Sequence, residues 1–331
     1  MSSPLDQLSA GALDWLGGNL DRFDPYAPHS AGSPPHLRAK AVMELALLCH
    51  CAARLPDPSG DRLEGARALL RRLWEREDFP RLFEAHPGAV PSYPLAFAAL
   101  APAGTDDTAA RGVLARLAPA DLSPSGKPPL KRLEIRYYAD KAGVRHGIEP
   151  YPDLATLSPL ATLPAAAPPP APAPPAPAPP APAPLAAVPA DTGPLTNAEG
   201  YSLTHAAFYL GDYGRTEPPL TGEQLARAGD LVHRMLEHCV GQERWDLAAE
   251  LVITQFILGL EPLETSSGAA AVECLVRAQR PDGALPGRSA ALRAPDSAPA
   301  GEFFRKAYHT TLVTALMGLV VLSGRPAWHR V

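Results

Sequence analysis

The sequence predicts an all-α fold of helical hairpins, arranged as an α/α toroid or open horseshoe and interrupted by a disordered Pro/Ala insertion. Three observations carry this expectation. Apolar residues recur at helical spacing with few alternating runs, and the periodic segments are filled with Ala, Leu, Arg and Glu, which favour helix. Hydrophobic residues make up 46% of the 331-residue chain but aromatic residues only 6%, so the core is built mainly from Leu, Ala and Val. Residues 164–184 contain nothing but Pro and Ala. Pro fixes φ and lacks a backbone donor, so this run joins neither helix nor sheet ladder and reads as a polyproline II tether.

The helices are expected in order. Residues 4–20 place Leu5, Leu8, Leu13 and Leu16 at helical spacing. Residues 35–54 are nearly all apolar from 41 to 53, except for Glu44 and His50. Residues 61–76 are amphipathic, with Leu63, Ala66, Leu70 and Leu73 on one face and Arg and Glu on the other. Shorter helices are expected at 82–86, 93–100 and 107–117, and a polar one at 130–142. The rest of the first part reads as a loose, Pro-rich run. Beyond the tether, Asn197 is expected to cap a helix to Leu210. Thr221 is expected to cap one to about Cys239, with Glu223 and Gln224 in its first turn. Segments 245–260, 265–280 and 308–322 follow; the first and last are apolar almost all round, and such helices must be buried. Outer amphipathic helices alternating with inner apolar ones suit a toroid or a curved hairpin array. Neither side of the tether looks complete alone. Residues 1–160 and 196–331 are therefore read as two parts of one domain, with 161–195 as the disordered insertion.

Several function classes are excluded. The net charge is −5, and the 30 Lys and Arg residues are interspersed with 35 Asp and Glu residues, so no basic stripe marks a nucleic-acid partner. The longest apolar runs, of about 10–12 residues, are too short to span a bilayer. The start lacks the basic and apolar regions of a secretory signal, and a cytoplasmic location follows by default. Cys49 and Cys51 lie at i and i+2, on different helix faces, and read with Cys239 and Cys274 as reduced core thiols. His233 and His238 are five residues apart and lack the spacing of a helical zinc pair. Neither a metal nor a cofactor is expected, and no phosphate-cradling Gly loop, nucleophile elbow or dinucleotide fingerprint occurs.

Three segments could carry chemistry. In YSLTHAAFYLGDYG, His205, Tyr209 and Asp212 fall at i, i+4 and i+7 on one helix face, with Thr204 beside them. His205 is the candidate acid or base, and Asp212 its orienter. In AQRPDGALPG followed by YHTTL, Asp282 lies in a turn. His309 is expected in the first turn of the last helix, where the helix dipole would lower its pKa. In LEIRYYADKAGVRHG, Arg136 and Tyr138 are candidates for clamping an anionic group. The expected site thus comprises catalytic His205, Asp212 and His309, with Arg136, Tyr138, Thr204, Tyr209 and Asp282 binding substrate.

The QRPDG turn followed by YHTTL resembles helix-junction motifs of α/α-toroid proteins such as terpene cyclases, prenyltransferases and six-hairpin glycosidases. This chain has no DxDD acid motif. The longer pattern of EIRYYADKAG, YSLTHAAFYLGDYG and YHTTL resembles an uncharacterised helical domain family of high-GC bacteria, which implies a fold and no particular activity. Two functions follow as expectations: acid–base catalysis on a small polar or peptide substrate, as in specialised metabolism, or a non-catalytic module that binds a peptide or protein on a concave face.

Overall fold

In the computed structural model, residues 3–28, 35–55, 60–84, 92–106, 108–164, 193–287 and 300–325 are described. The expected Pro/Ala insertion falls largely on 165–192, outside them. Among the described residues the chain is helical and contains no strand: α1 Pro4–Gly18, α2 Leu20–Phe23, α3 Pro35–Ala52, α4 Glu64–Trp74, α5 Arg81–Glu84, α6 Ser92–Ala99, α7 Thr108–Leu114, α8 Pro129–Lys141, α9 Tyr151–Leu157, α10 Pro159–Thr162, α11 Asn197–Leu210, α12 Gly222–Gly241, α13 Trp245–Ile257, α14 Ser266–Ala278 and α15 Ala300–Leu322.

Local chemistry sets many of the helix starts. Ser3 caps α1 through a reciprocal pair with Asp6, and Thr221 caps α12 in the same way with Gln224. At α11 the cap is Thr196 paired with Glu199, one residue before the expected Asn. Helices α9 and α10 occupy the run that sequence pattern leaves loose. Each begins with Pro in its first turn, where a missing N–H breaks no helical bond, and they bury Leu154, Ala155 and Leu160.

The core is centred on α13 and α15. Every residue of α13 from Leu247 to Ile257 is buried, as is every residue of α15 from Thr310 to Val320. These two helices pack on each other. Helices α1 and α3 cover α15, α11 and α12 cover α13, and α14 packs on α1, α12 and α13. The apolar faces of the amphipathic α4 and α12 supply the next layer; α4 buries Leu69, Leu70, Leu73 and Trp74 against the rest. The thiols of Cys49, Cys51 and Cys239 are buried and free, and Cys274 is half-buried and free.

The turn after α14 is bound to α1. Gln279 Nε2 donates to Leu8 O at 2.9 Å, and the Leu285 N–H donates to Thr311 Oγ1 on α15 at 2.8 Å. Gly283 has φ +92°, and a Cβ there would lie 2.1 Å from Gly11 O, so only glycine fits. The last helix begins at Ala300, eight residues before the expected start. A Glu302–Lys306 pair at 2.6 Å and the stacking of Phe304 on Tyr308 at 5.4 Å support its first turns.

Helices α1 and α15 approach closely at Ser9 and Gly318, where a Cβ on Gly318 would lie 2.4 Å from Ser9 Cβ. Gly318→Ala is therefore expected to destabilise the protein by about 1–3 kcal/mol through overpacking. A Ser9→Gly background should restore part of that loss. Urea unfolding of the single and double variants measures both effects, and strictly additive values would count against this contact between elements from opposite sides of the tether.

Candidate functional site

Helix α13 is apolar except for a few internal polar groups, and the most consequential of these is Glu250, which is 3% exposed. A carboxylate this deep requires partners, and α11 supplies them. Thr204 Oγ1 donates to Glu250 Oε2 at 2.5 Å, and His205 Nε2 lies 3.9 Å from the same oxygen. One helical turn earlier on α13, Asp246 accepts from the Tyr201 hydroxyl. Burial pushes the Glu250 carboxyl above the usual range; His205, Thr204 and His309 oppose that rise without cancelling it. The His205 side chain is 44% exposed, so the buried acid has a neighbour in contact with solvent.

A second acid–histidine pair joins α3 to α15. His309 Nδ1 lies 3.1 Å from Glu44 Oε2, and Lys40 Nζ lies 3.5 Å from Glu44 Oε1. Glu44 is therefore ionised and Nδ1 is its donor. His309 is the tenth residue of α15 and not part of its first turn, so the dipole effect expected from sequence does not act on it. Its pKa moves the other way: burial favours the neutral ring, but the hydrogen bond and charge of Glu44 outweigh it and raise the value. The Glu44 carboxyl is lowered, because His309 and Lys40 overcome its burial. Glu250 adds to the rise of the His309 value, and His309 in turn opposes the rise of the Glu250 carboxyl.

This pair has a defined pH window. The raised His309 pKa contributes stability fully below its ordinary 6.5, and that contribution is lost as pH rises through the raised value. The lowered Glu44 pKa contributes above its ordinary 4.5, and that contribution is lost as pH falls through the lowered value. His309→Gln is expected to cost about 1 kcal/mol near pH 6 and progressively less at alkaline pH. Thermal melts of both proteins from pH 5 to 9 provide the check; a gap that widens toward pH 9 would contradict the pairing.

Of the other expected site residues, Tyr138 and Tyr209 meet. Their rings are 6.0 Å apart in an edge-on arrangement between α8 and α11, their hydroxyls are hydrogen-bonded, and burial raises both pKa values. Thr204 lies at the Glu250 site.

Asp212 lies elsewhere. Helix α11 ends at Leu210, and the chain then turns through left-handed conformations at Asp212 (φ 43°), Tyr213 (φ 53°) and Gly214 (φ 88°). The extrapolated i, i+7 alignment with His205 therefore breaks down. The Asp212 carboxylate accepts instead from Arg54 Nη1 and Tyr137 Oη, at 2.8 and 2.9 Å, and lies 2.9 Å from Lys141 Nζ. Burial would raise its pKa, but Arg54 and Lys141 hold it at about 2. His50 beside this cluster is pulled down to about 4 by burial, Arg54 and Lys141, so its ring is neutral at neutral pH.

Arg136 Nη1 donates to the Ile148 and Glu149 carbonyls at 2.9 Å each, and its guanidinium covers the Tyr151 ring. It braces the approach to α9. Asp282 accepts from the Ala284 N–H at 3.1 Å within the turn that docks on α1.

Sequence pattern passes over Glu250 and gives Glu44 no role, although each interrupts an apolar stretch of its helix. Burial pushes the Cys49 and Cys51 thiols up to about 12, which makes them poor nucleophiles. Among the described residues no group of three or more His, Cys, Asp and Glu side chains is placed to hold a metal ion, and no helix is long and apolar enough to cross a membrane.

The chain belongs to the family defined by the domain of unknown function DUF6895, which matches residues 9–319. No curated protein and no solved structure matches it.

Proposed function

For this member of the family, we propose an enzyme that performs acid–base chemistry on a small polar substrate, with His309 and the Glu250–His205 pair as its proton-transfer groups. The observation that carries the reading is a pair of largely buried carboxyls, Glu250 and Glu44, each set beside a partly accessible histidine, His205 at 3.9 Å and His309 at 3.1 Å. Perturbed acids grouped in this way are characteristic of proton-transfer sites. Glu44 takes the orienting role that sequence assigned to Asp212. By accepting from Nδ1 it fixes the His309 ring and leaves Nε2 for the reacting proton. Raised Glu250 holds a proton at higher pH than an ordinary carboxyl, and His205 links it to solvent. Asp212 and Arg136 serve the framework, and residues 1–160 and 196–331 act as one domain, since the site needs Glu44 from the first and His205, Glu250 and His309 from the second.

A peptide-binding module is less well supported. The described large apolar side chains left exposed are Leu37, Leu157 and Leu263, which belong to three separate elements and form no continuous docking face. Incubating the protein with a small-molecule extract of the cells that make it, followed by mass spectrometry, tests the enzyme reading. Wild type should consume at least one species that His309→Gln leaves intact. If the folded variant and wild type give identical profiles, His309 has no part in turnover.

A further inference from the structure

Between the first turns of α3, the short α2 and the outer half of α15 lies a cleft of about 300 Å³. Its wall carries Arg22, Arg38, Lys40 and Arg305, and Tyr308 and His309 also line it. Among the described residues no carboxylate lines it. Glu44, which contacts Lys40 and His309, lies behind this wall, so the two cations share one acid. Among the described residues, neither Arg22 nor Arg305 has a carboxylate within salt-bridge distance. The acids that border the adjoining hollow are engaged elsewhere: Asp14 with Arg62 at 2.9 Å and Asp282 near Arg280 at 3.8 Å. Arg38 Nη1 donates to Pro25 O at 2.7 Å, while its Nε–H is buried with no partner among the described residues. Leu37 and Arg38 belong to the first turn of α3, whose positive dipole end adds to the same field.

In a protein with net charge −5, this local excess of cations needs a physical reason. Like charges held around one cleft repel each other, and a buried guanidinium N–H without an acceptor costs free energy until a ligand supplies one. We infer that this cleft binds the phosphoryl group of a small phosphorylated substrate, held by Arg22, Arg38 and Arg305 beside His309. The inference rests on the acid–base reading above for its word substrate and deepens it by naming the substrate class. A monocarboxylate would leave most of the positive charge uncompensated, whereas a phosphoryl dianion matches both the charge and the several N–H donors.

Inorganic pyrophosphate serves as the probe, with acetate and citrate as comparison arms, in calorimetric titrations of the full chain at fixed ionic strength. Pyrophosphate should bind at least about tenfold more tightly than acetate, and its affinity should fall as salt rises. Arg22→Gln/Arg305→Gln should weaken pyrophosphate binding about tenfold or more, whereas Arg234→Gln, which removes an arginine paired with Asp230, should bind as wild type does. If the double variant fails to fold, Arg305→Gln alone, at an exposed position, should still weaken binding severalfold. Unchanged binding in the Arg22 and Arg305 variants would overturn the site, and citrate binding as tightly as pyrophosphate would overturn its assignment to phosphate. The two proposals fail separately. His309→Gln should retain most pyrophosphate affinity while losing turnover of the extract species. Turnover retained in His309→Gln, with pyrophosphate binding still dependent on the arginines, defeats the acid–base reading alone.

Discussion

Replacing Asp212 with Asn should destabilise the protein by about 2–4 kcal/mol, because it leaves Arg54 and Lys141 partly buried without their shared counter-charge. Asn is the informative replacement because it tolerates the left-handed conformation that Asp212 adopts at φ 43°, so the backbone contributes little to the loss. It also retains an oxygen to accept from Tyr137. What disappears is the charge. The lowered pKa of about 2 gives the pH signature: Asp212 stabilises fully above its ordinary 3.8, and this contribution is lost as pH falls through about 2. The gap between wild type and variant in denaturant midpoints should therefore hold from neutral pH to about 4 and narrow below that. A gap under about 0.5 kcal/mol at neutral pH would mean that the cluster is solvated well enough to dispense with its acid.

Asp212 also marks where sequence pattern stops being sufficient. The helix through His205 is legible from its spacing, but the i, i+7 alignment holds only while the helix continues, and it ends at Leu210. The left-handed turn at Asp212 and Tyr213 has no strong local signal, and its partners, Arg54 just after α3 and Lys141 at the end of α8, lie far away in the chain. The burial of α13 and α15 is legible for the opposite reason: apolar residues on all sides leave a helix nowhere to be except inside. His309 stands out as a titratable group within such a segment and His205 within the YSLTHAAFYLGDYG run, but their carboxylate partners do not. Glu44 and His309 are 265 residues apart, and no periodicity specifies a pairing over that distance. The position of His309 along its helix differs from the expected one for a local reason. Sequence pattern starts this helix at Tyr308, whereas the Glu302–Lys306 and Phe304–Tyr308 pairs extend it back to Ala300. That shift moves His309 from a dipole-controlled end to an ion-paired middle and reverses the direction of its pKa change.

The largest functional effect is expected at Glu250. Glu250→Gln should reduce turnover of the extract species by about 10²–10⁴-fold, the usual contribution of a positioned acid or base, while leaving the fold intact. The amide matches the shape of the protonated carboxyl and can accept from Thr204 as the acid does. Stability provides an independent sign check. A carboxyl whose pKa is raised by folding binds its proton more tightly in the native state, so wild type loses stability as pH rises from 4.5 to the raised value. Glutamine has no such titration. The variant should therefore be as stable as wild type or more stable at neutral pH, with the difference growing from pH 4 upward until Glu250 is ionised. A structural role predicts the reverse. If Glu250 served only as an ionised partner for His205, removing its charge would lower stability at neutral pH and spare turnover. Turnover by mass spectrometry and urea unfolding across pH, measured on the same preparations, separate the two cases. A destabilised but fully active Glu250→Gln would remove the central group from the proposed proton-transfer site.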